Sequence, residues 1–287
     1  MHHINLIERE WVKYMTFKIN ESTRTFLSTY KLYEGNLVQH KQLQHRLELV
    51  KAFEIDKGMR VLEIGCGQGD TTVALADAVG DDGKVTGIDV AGLDDGSPFT
   101  MGQATDIISA SPLGKRITFH FEMDFERFDS DSVYDVAVLS HSSWYFKRPE
   151  ILLRYFRKLR KIARRICFAE WDLDFTDMTQ RAHFCAASIL AIYSNFVNNN
   201  GNIQNVFHKK HIRELLEEAH FHIEKQSTVN AKYLQDASWE KNYANSIRQT
   251  FKDAPPMIQT MVNSYYEVMN ASYDHDQSLN SFVICAR

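Results

Sequence analysis

Apolar and polar positions follow two different rhythms along this chain. From Ile4 to about Ile55 the residues are long and poor in glycine, with Leu37, Leu43, Leu47 and Val50 spaced for one helix face, which predicts a helical N-terminal segment over residues 1–55. Its aromatic residues Trp11, Tyr14, Phe17, Phe26, Tyr30 and Tyr33 are too many for a solvated helix and are expected to pack on the core or line a cleft. After the Lys57-Gly58-Met59 turn the pattern changes to short apolar runs separated by helical stretches. Strands are predicted over Arg60–Ile64, Lys84–Val90, Ile117–Met123, Tyr134–Leu139 and Ile166–Trp171. Helices are predicted over Asp70–Val79, Met101–Ala110 and Pro149–Arg165. Runs this short and this apolar suit strands covered on both faces, as in a parallel α/β sheet.

Beyond Asp177 the pattern is mainly helical, with an apolar stretch from Phe184 to Tyr193 and a loop at Asn198-Asn199-Asn200-Gly201. An amphipathic helix over Lys209–Ala219 and a strand over Phe221–Val229 follow. Residues 231–275 read as a helical insertion broken at Pro255-Pro256 and rich in rings (Tyr233, Trp239, Tyr243, Tyr265, Tyr266, Tyr273), and Ser281–Ala286 as the last strand. The expected organisation is a core over residues 56–230 and 276–287, preceded by the helical segment and roofed by the insertion as a lid.

Eleven of the thirteen glycines lie between Gly58 and Gly114, so the tight-turn chemistry sits in one region. Its centre is Val61-Leu62-Glu63-Ile64-Gly65-Cys66-Gly67-Gln68-Gly69-Asp70, where an apolar strand breaks into alternating glycines and a helix begins. Glycine there admits positive φ and, lacking Cβ, lets peptide groups press on a ligand. A dinucleotide turn spaces its third glycine one residue later; here Asp70 fills that place. Asp89 ends the next strand at the same sheet edge, where its carboxylate can accept both hydroxyls of a ribose.

Charge is nearly balanced, 33 basic against 37 acidic residues, so no global field draws the chain to nucleic acid or membrane. The seven basic residues from Arg154 to Arg165 read as a solvated helix face. Cys66, Cys167, Cys185 and Cys285 are scattered and read as reduced packing residues. No cysteine or acid completes a set with His208, His211, His220 and His222, so no metal site is expected. Glu8, Arg9, Glu10 and Lys13 occupy the place where a signal peptide needs its apolar centre, and a soluble, cytoplasmic protein is expected.

The loop after the fourth strand, Ser140-His141-Ser142-Ser143-Trp144-Tyr145-Phe146, and the rim residues Glu170, Trp171 and Asp172 are the densest candidate chemistry. In open α/β sheets ligands bind beyond the carboxyl ends of the strands, where strand order switches. His141 there is either a general base or a hydrogen-bonded structural group.

The run V-L-E-I-G-C-G-Q-G resembles the first motif of class I S-adenosylmethionine-dependent methyltransferases, hydrophobic-hydrophobic-acid-hydrophobic-G-x-G-x-G. Gly87-Ile88-Asp89-Val90 and Asp124-Phe125 match the family's next two sites in order, so the resemblance covers Arg60 to Asp172, resuming at Lys209–Val229 and the last strand. It implies a Rossmann-like seven-stranded sheet, mostly parallel with a C-terminal antiparallel hairpin. Many members have glycine-phenylalanine where this chain has His220-Phe221, and a histidine can take the left-handed conformation at modest cost.

By resemblance, Glu63 orients the methionine amino end through the turn, and Gly65, Cys66 and Gly67 form its backbone surface. Asp89, with Val90, binds the ribose; Asp124 accepts from the adenine amine and Phe125 covers the purine; Ser140 closes the set. His141 and Glu170 are the candidate bases for an acceptor that arrives protonated. Trp144, Tyr145 and Trp171 suggest an apolar pocket for a small molecule, an amine or a hydroxyl, and Glu170 and Asp172 would suit an amine. The N-P-P-Y signature of adenine methylation is absent, as is a basic aromatic groove, so nucleic acid is not expected as a partner; a protein acceptor stays open. A nicotinamide-dependent reductase and a non-catalytic S-adenosylmethionine-binding protein are the other readings this pattern admits.

Overall fold

The computed structural model describes residues 17–96, 99–130, 132–197, 201, 203–271 and 276–287. The expected packing of Trp11, Tyr14 and Tyr273 and the loop at residues 198–200 lie outside the described residues. The N-terminal segment forms α1 (Glu21–Tyr30) and α2 (Leu37–Phe53). Both start on an asparagine whose side chain accepts an orphan amide, Asn20 from Thr23 and Asn36 from Gln39.

The sheet has seven strands, β1 (Arg60–Ile64), β2 (Lys84–Ile88), β3 (Ile117–His120), β4 (Tyr134–Ser140), β5 (Ala163–Trp171), β6 (Ile223–Val229) and β7 (Ser281–Ala286). Their order is β3-β2-β1-β4-β5-β7-β6, with the first five parallel and β7 antiparallel to both β5 and β6. Between them run α3 (Asp70–Val79), α4 (Met101–Ala110), α5 (Pro149–Ile162), α6 (Arg181–Phe196), α7 (Lys209–Glu218), α8 (Asp236–Ser246) and α9 (Pro256–Asn270). The expected mostly parallel sheet with an antiparallel C-terminal pair is therefore the fold.

Every residue of β7 is buried, and so are the central residues of β4 and β5, because helices cover both faces. One face packs Val138, Cys167 and Val283 on Phe53 of α2 and Val73 and Leu75 of α3. The other packs Phe168 and Phe282 on Leu152 and Phe156 of α5 and Ile189 of α6. Tyr266 of α9 belongs to this second core and donates to Ala244 O, 2.6 Å, so α8 and α9 share the buried interior of the sheet. Strand order reverses between β1 and β4, which opens a crevice at their carboxyl ends.

Several element boundaries differ from the sequence reading: β2 stops at Ile88, two residues short, β6 starts at Ile223, two residues late, and two others have a visible cause. Helix α5 stops at Ile162, and Ala163 and Arg165 instead pair with Tyr134 and Val136 of β4. The ladder outcompetes helix propensity, and the Arg165 guanidinium closes the end of α2 by donating to Phe53 O (2.6 Å) and Glu54 O (2.9 Å). Strand β3 ends at His120, because Glu122 takes a left-handed turn (φ +53°) that carries Met123 N back onto Asp89 O. His220 does adopt the left-handed conformation expected of it, φ +64°. The basic face of α5 makes ion pairs at its exposed surface, Arg154–Glu126 (2.5 Å) and Arg157–Glu218 (2.9 Å). No helix among the described residues is long and apolar enough to cross a membrane.

Candidate active site

The crevice begins at the glycine turn between β1 and α3. Gly65, Gly67 and Gly69 all have positive φ, +77°, +51° and +90°. Gly65 and Gly69 are glycines for packing reasons as well: a Cβ would lie 2.4 Å from Ser142 Cβ at the first and 2.7 Å from Ile108 at the second. Gly67 differs, since a Cβ there would meet nothing within 4 Å. Its peptide therefore borders open space, and its N–H donates to Asp89 Oδ2, 2.8 Å. Asp89 Oδ1 accepts from Ala91 N, 2.9 Å, so each carboxylate oxygen has one protein donor and keeps acceptor capacity for a ligand. Val90 beside it is exposed. No side chain caps α3 at Gly69, leaving the first-turn amides, with their partial positive charge, at the crevice.

Glu63 lies beneath the turn rather than on it. Its carboxyl is buried, accepts from Thr72 Oγ1 at 2.6 Å, and is pushed up to about 8 by burial, so at neutral pH it carries its proton and ties β1 to α3. Cys66 is also buried, and burial pushes its thiol up.

On the far side of Asp89, Asp124 caps a single helical turn. Both of its hydrogen bonds, from Glu126 N (2.8 Å) and Tyr155 Oη (2.8 Å), fall on Oδ1, leaving Oδ2 as an acceptor. Phe125 turns inward, 1% exposed, with Phe128 and Tyr155 at ring distances of 6.4 and 5.2 Å. The capped turn points residue 125 into the core, so this ring does not face the crevice as the family pattern implied. Ser140 is buried at the end of β4.

A buried polar cluster stands beyond β4, β5 and β7. His141 follows β4 with φ +52°, a strained value for a residue with a Cβ, held by its N–H on Ala169 O. Its Nδ1 lies 3.2 Å from Glu170 Oε1, and its Nε2 lies 3.0 Å from Ser281 Oγ and 3.4 Å from His45 Nε2. Ser281 Oγ is 3.0 Å from His45 Nε2 in turn. Glu170 also accepts from Ser143 N, Ser143 Oγ (2.7 Å) and Trp171 N, so it sits behind His141 and fixes the loop instead of facing the crevice. Burial holds the His141 imidazole below its ordinary value, offset in part by Glu170, and holds His45 well below.

Of the three aromatic residues expected at the acceptor, Tyr145 alone is exposed on the rim. One side of the ring is open while surrounding protein desolvates the hydroxyl, which together with the negative field of Asp89, Glu170 and Glu240 pushes it up to about 12. Trp144 is buried, its carbonyl held by Gln204 N and Asn205 N. Trp171 is buried against His141 (4.4 Å), His183 (5.0 Å) and His45, whose ring is parallel at 6.2 Å. Asp172, offered above as an amine partner, is buried and neutralised by Lys209 Nζ at 3.0 and 3.2 Å.

Sequence reasoning missed Arg46 and His45 of α2, Ser281, and the pair His183–Glu240 (2.8 Å). Arg46 acts electrostatically on Glu63, Asp70, His141 and Tyr145 at once, yet its Nε and Nη1 are buried without hydrogen-bond partners. Donors left unspent beside the glycine turn suit an anionic ligand group. The sequence carried little signal, since Lys41, Gln42, Gln44 and His45 read as solvated polar positions and only the fold shows them buried. Gln42 Nε2 reaches Asp236 Oδ2 of α8 at 3.0 Å, so α2 and the insertion meet over the rim.

A glycine turn with an acid after each of the next two strands, on this sheet order, defines a nucleoside-binding α/β fold of the methyltransferase type. A family model described as methyltransferase domain matches residues 38–226, and the chain belongs to that family of S-adenosylmethionine-dependent methyltransferases. A cyclopropane-fatty-acyl-phospholipid synthase-like protein from Lactobacillus casei is 29% identical, with 92% of this chain and 98% of that one covered at a TM-score of 0.83. Methyltransferase phomM of Diaporthe leptostromiformis is 28% identical over 230 residues, 63% of this chain and 59% of its own length. A putative sarcosine dimethylglycine methyltransferase from Galdieria sulphuraria shares the fold at a TM-score of 0.52, with 12% identity and 98% of this chain covered.

Proposed function

We propose that this chain binds S-adenosylmethionine in the crevice and transfers its methyl group to a small-molecule amine or hydroxyl. The observation that carries the reading is the convergence, at one rim, of the open backbone at Gly67, the Asp89 carboxylate and the unspent Arg46 guanidinium. These groups fit the cofactor. Asp89 would take the ribose hydroxyls, Asp124 Oδ2 the adenine amine, the Gly65-Cys66-Gly67 backbone the amino-acid end, and Arg46 its carboxylate. The bound cofactor supplies an electrophilic methyl carbon on a sulfonium.

The protein's own work is to hold the acceptor in line with that carbon and to exclude water. Helix α2 and residues 233–236 meet over the rim, through Gln42–Asp236 and through Tyr233 Oη on Glu48 (3.4 Å). A roof of this kind suits a small acceptor better than a macromolecule, and helices α8 and α9 serve as its lid. Tyr145 lines the acceptor side. For an acceptor that arrives protonated, His141 Nε2 receives the proton after releasing Ser281, while Glu170 holds Nδ1 and acts as a positioning residue.

Methyl transfer from radiolabelled S-adenosylmethionine to panels of small amines and of phenols and alcohols tests the proposal. Turnover in either small-molecule panel, with none on DNA, RNA or protein, is the expected result. Labelling of a macromolecule alone, or no transfer in any panel despite cofactor binding, would overturn it.

A further inference from the structure

Two of the four cysteines, separated by 118 residues in sequence, stand directly opposite each other in the antiparallel β5–β7 ladder: Cys167 and Cys285, with sulfurs 2.9 Å apart. Both are buried. Directly opposed residues in such a ladder have Cα atoms about 4.5–5.5 Å apart. A disulfide requires roughly 4.4–6.8 Å, so bond formation demands no rearrangement of the strands.

The two thiols are not equivalent. Burial pushes Cys167 up, whereas the S–H of Cys167 and the cations Arg165 and Lys225 favour the thiolate at Cys285. Both cations are anchored, Arg165 on the carbonyls of Phe53 and Glu54 and Lys225 on the Glu54 carboxylate. Cys167 Sγ also has Phe53 O at 3.6 Å, at the end of α2. The donor and acceptor roles that a resolving and an attacking thiol need are thus present in one pair.

We propose that Cys167 and Cys285 form a reversible cross-strand disulfide under peroxide. The Cys285 thiolate attacks a peroxide oxygen, the O–O bond breaks, and the departing hydroxide takes a proton, leaving Cys285 as the sulfenic acid and one water. The Cys167 sulfur then attacks the sulfenic sulfur; the S–S bond forms and the hydroxyl leaves with the Cys167 proton as a second water. Two thiols are oxidised by two electrons and one hydrogen peroxide is reduced. Peroxide, scarcely larger than water, enters through local opening of the sheet edge near β6. Because side chains alternate, the pair shares a sheet face with Trp171 and Ser281, which are also directly opposed. Oxidation therefore fixes β5 on β7 beneath the His45–His141–Ser281 cluster.

The test treats reduced protein with hydrogen peroxide, denatures it, alkylates it with iodoacetamide and reads intact mass and a non-reducing peptide map. Expected are two alkyl groups instead of four, a single cross-linked peptide joining Cys167 to Cys285, and return to four after dithiothreitol. The conservative variant Cys285→Ser, checked for an unchanged circular dichroism spectrum, should keep all three remaining thiols at the same dose. Four alkylated thiols in the treated wild type would overturn the proposal. So would oxygen adducts without a cross-link, or a disulfide to Cys66, to Cys185 or between chains.

Discussion

Replacing Arg46 with methionine separates the cofactor's amino-acid end from its nucleoside. Arg46 buries two unpartnered donor nitrogens, each costing about 1–3 kcal/mol. That cost is set against its attraction for Asp70, whose carboxyl it pulls down against the rise that burial causes. The opposing effects leave the variant's stability within about 1 kcal/mol of the parent. Binding has no such compensation, because a charge-assisted hydrogen bond to a carboxylate contributes about 1.5–3 kcal/mol, or roughly 10- to 150-fold in Kd. Isothermal titration with S-adenosylhomocysteine should show that loss. Titration with methylthioadenosine, which keeps the nucleoside and thioether but lacks the amino-acid end, should show none. Equal weakening of both ligands would mean that Arg46 merely shapes the crevice, and no weakening of either would remove it from the site.

Three further perturbations test other parts of the site. Asp89→Asn should weaken S-adenosylmethionine by about 1–3 kcal/mol through lost ribose contacts, and an unchanged titration would remove Asp89 from the site. Glu63 has a folded-state pKa of about 8, above its unfolded value near 4.3, so its contribution to stability is full below that value and is lost as pH rises through about 8. Glu63→Gln should therefore flatten the fall in Tm between pH 5 and 8.5, whereas parallel curves for the two proteins would show that Glu63 is ionised throughout. Burial holds His141 below the ordinary histidine value, so kcat on a protonated acceptor should rise with pH on the acid side and be flat at neutrality. His141→Asn should abolish that limb and lower kcat by about 10²–10⁴-fold, the scale of lost general-base catalysis; a retained limb would assign the titration elsewhere.

Much of the sheet was legible because its signals are local. Helix α3 begins and ends where Gly69 and Gly80 dictate, α4 begins at the capping box of Thr100 and Gln103, and β7 is an apolar run from Phe282 to Ala286. The α5–β5 border carried no such signal, since Ala163-Arg164-Arg165 suits a helix and only pairing with β4 overrides it. The cofactor rim was read from strand-end acids, and the structure brings the Gly67 N–H onto the Asp89 carboxylate at 2.8 Å. Phe125 and Trp144 stand in single helical turns that direct their rings inward, and Trp171, the last residue of β5, is covered by His45, His141 and His183, so nothing in the sequence marked these rings as buried. His45, Arg46 and Ser281 escaped notice because their meaning is long-range: His45 meets Ser281 across 236 residues. The thiol pair was hidden in the same way.

The central claim is that the crevice holds an S-adenosyl nucleoside, and thermal unfolding in the presence of S-adenosylmethionine, S-adenosylhomocysteine, NAD and NADP tests it most directly. Ligand at about a hundred times its Kd adds about 2.7 kcal/mol, which raises Tm by several degrees in a chain of this size. The account predicts that rise for the two S-adenosyl ligands and none for the nicotinamide cofactors. Stabilisation by NAD or NADP alone, or by none of the four, would contradict it.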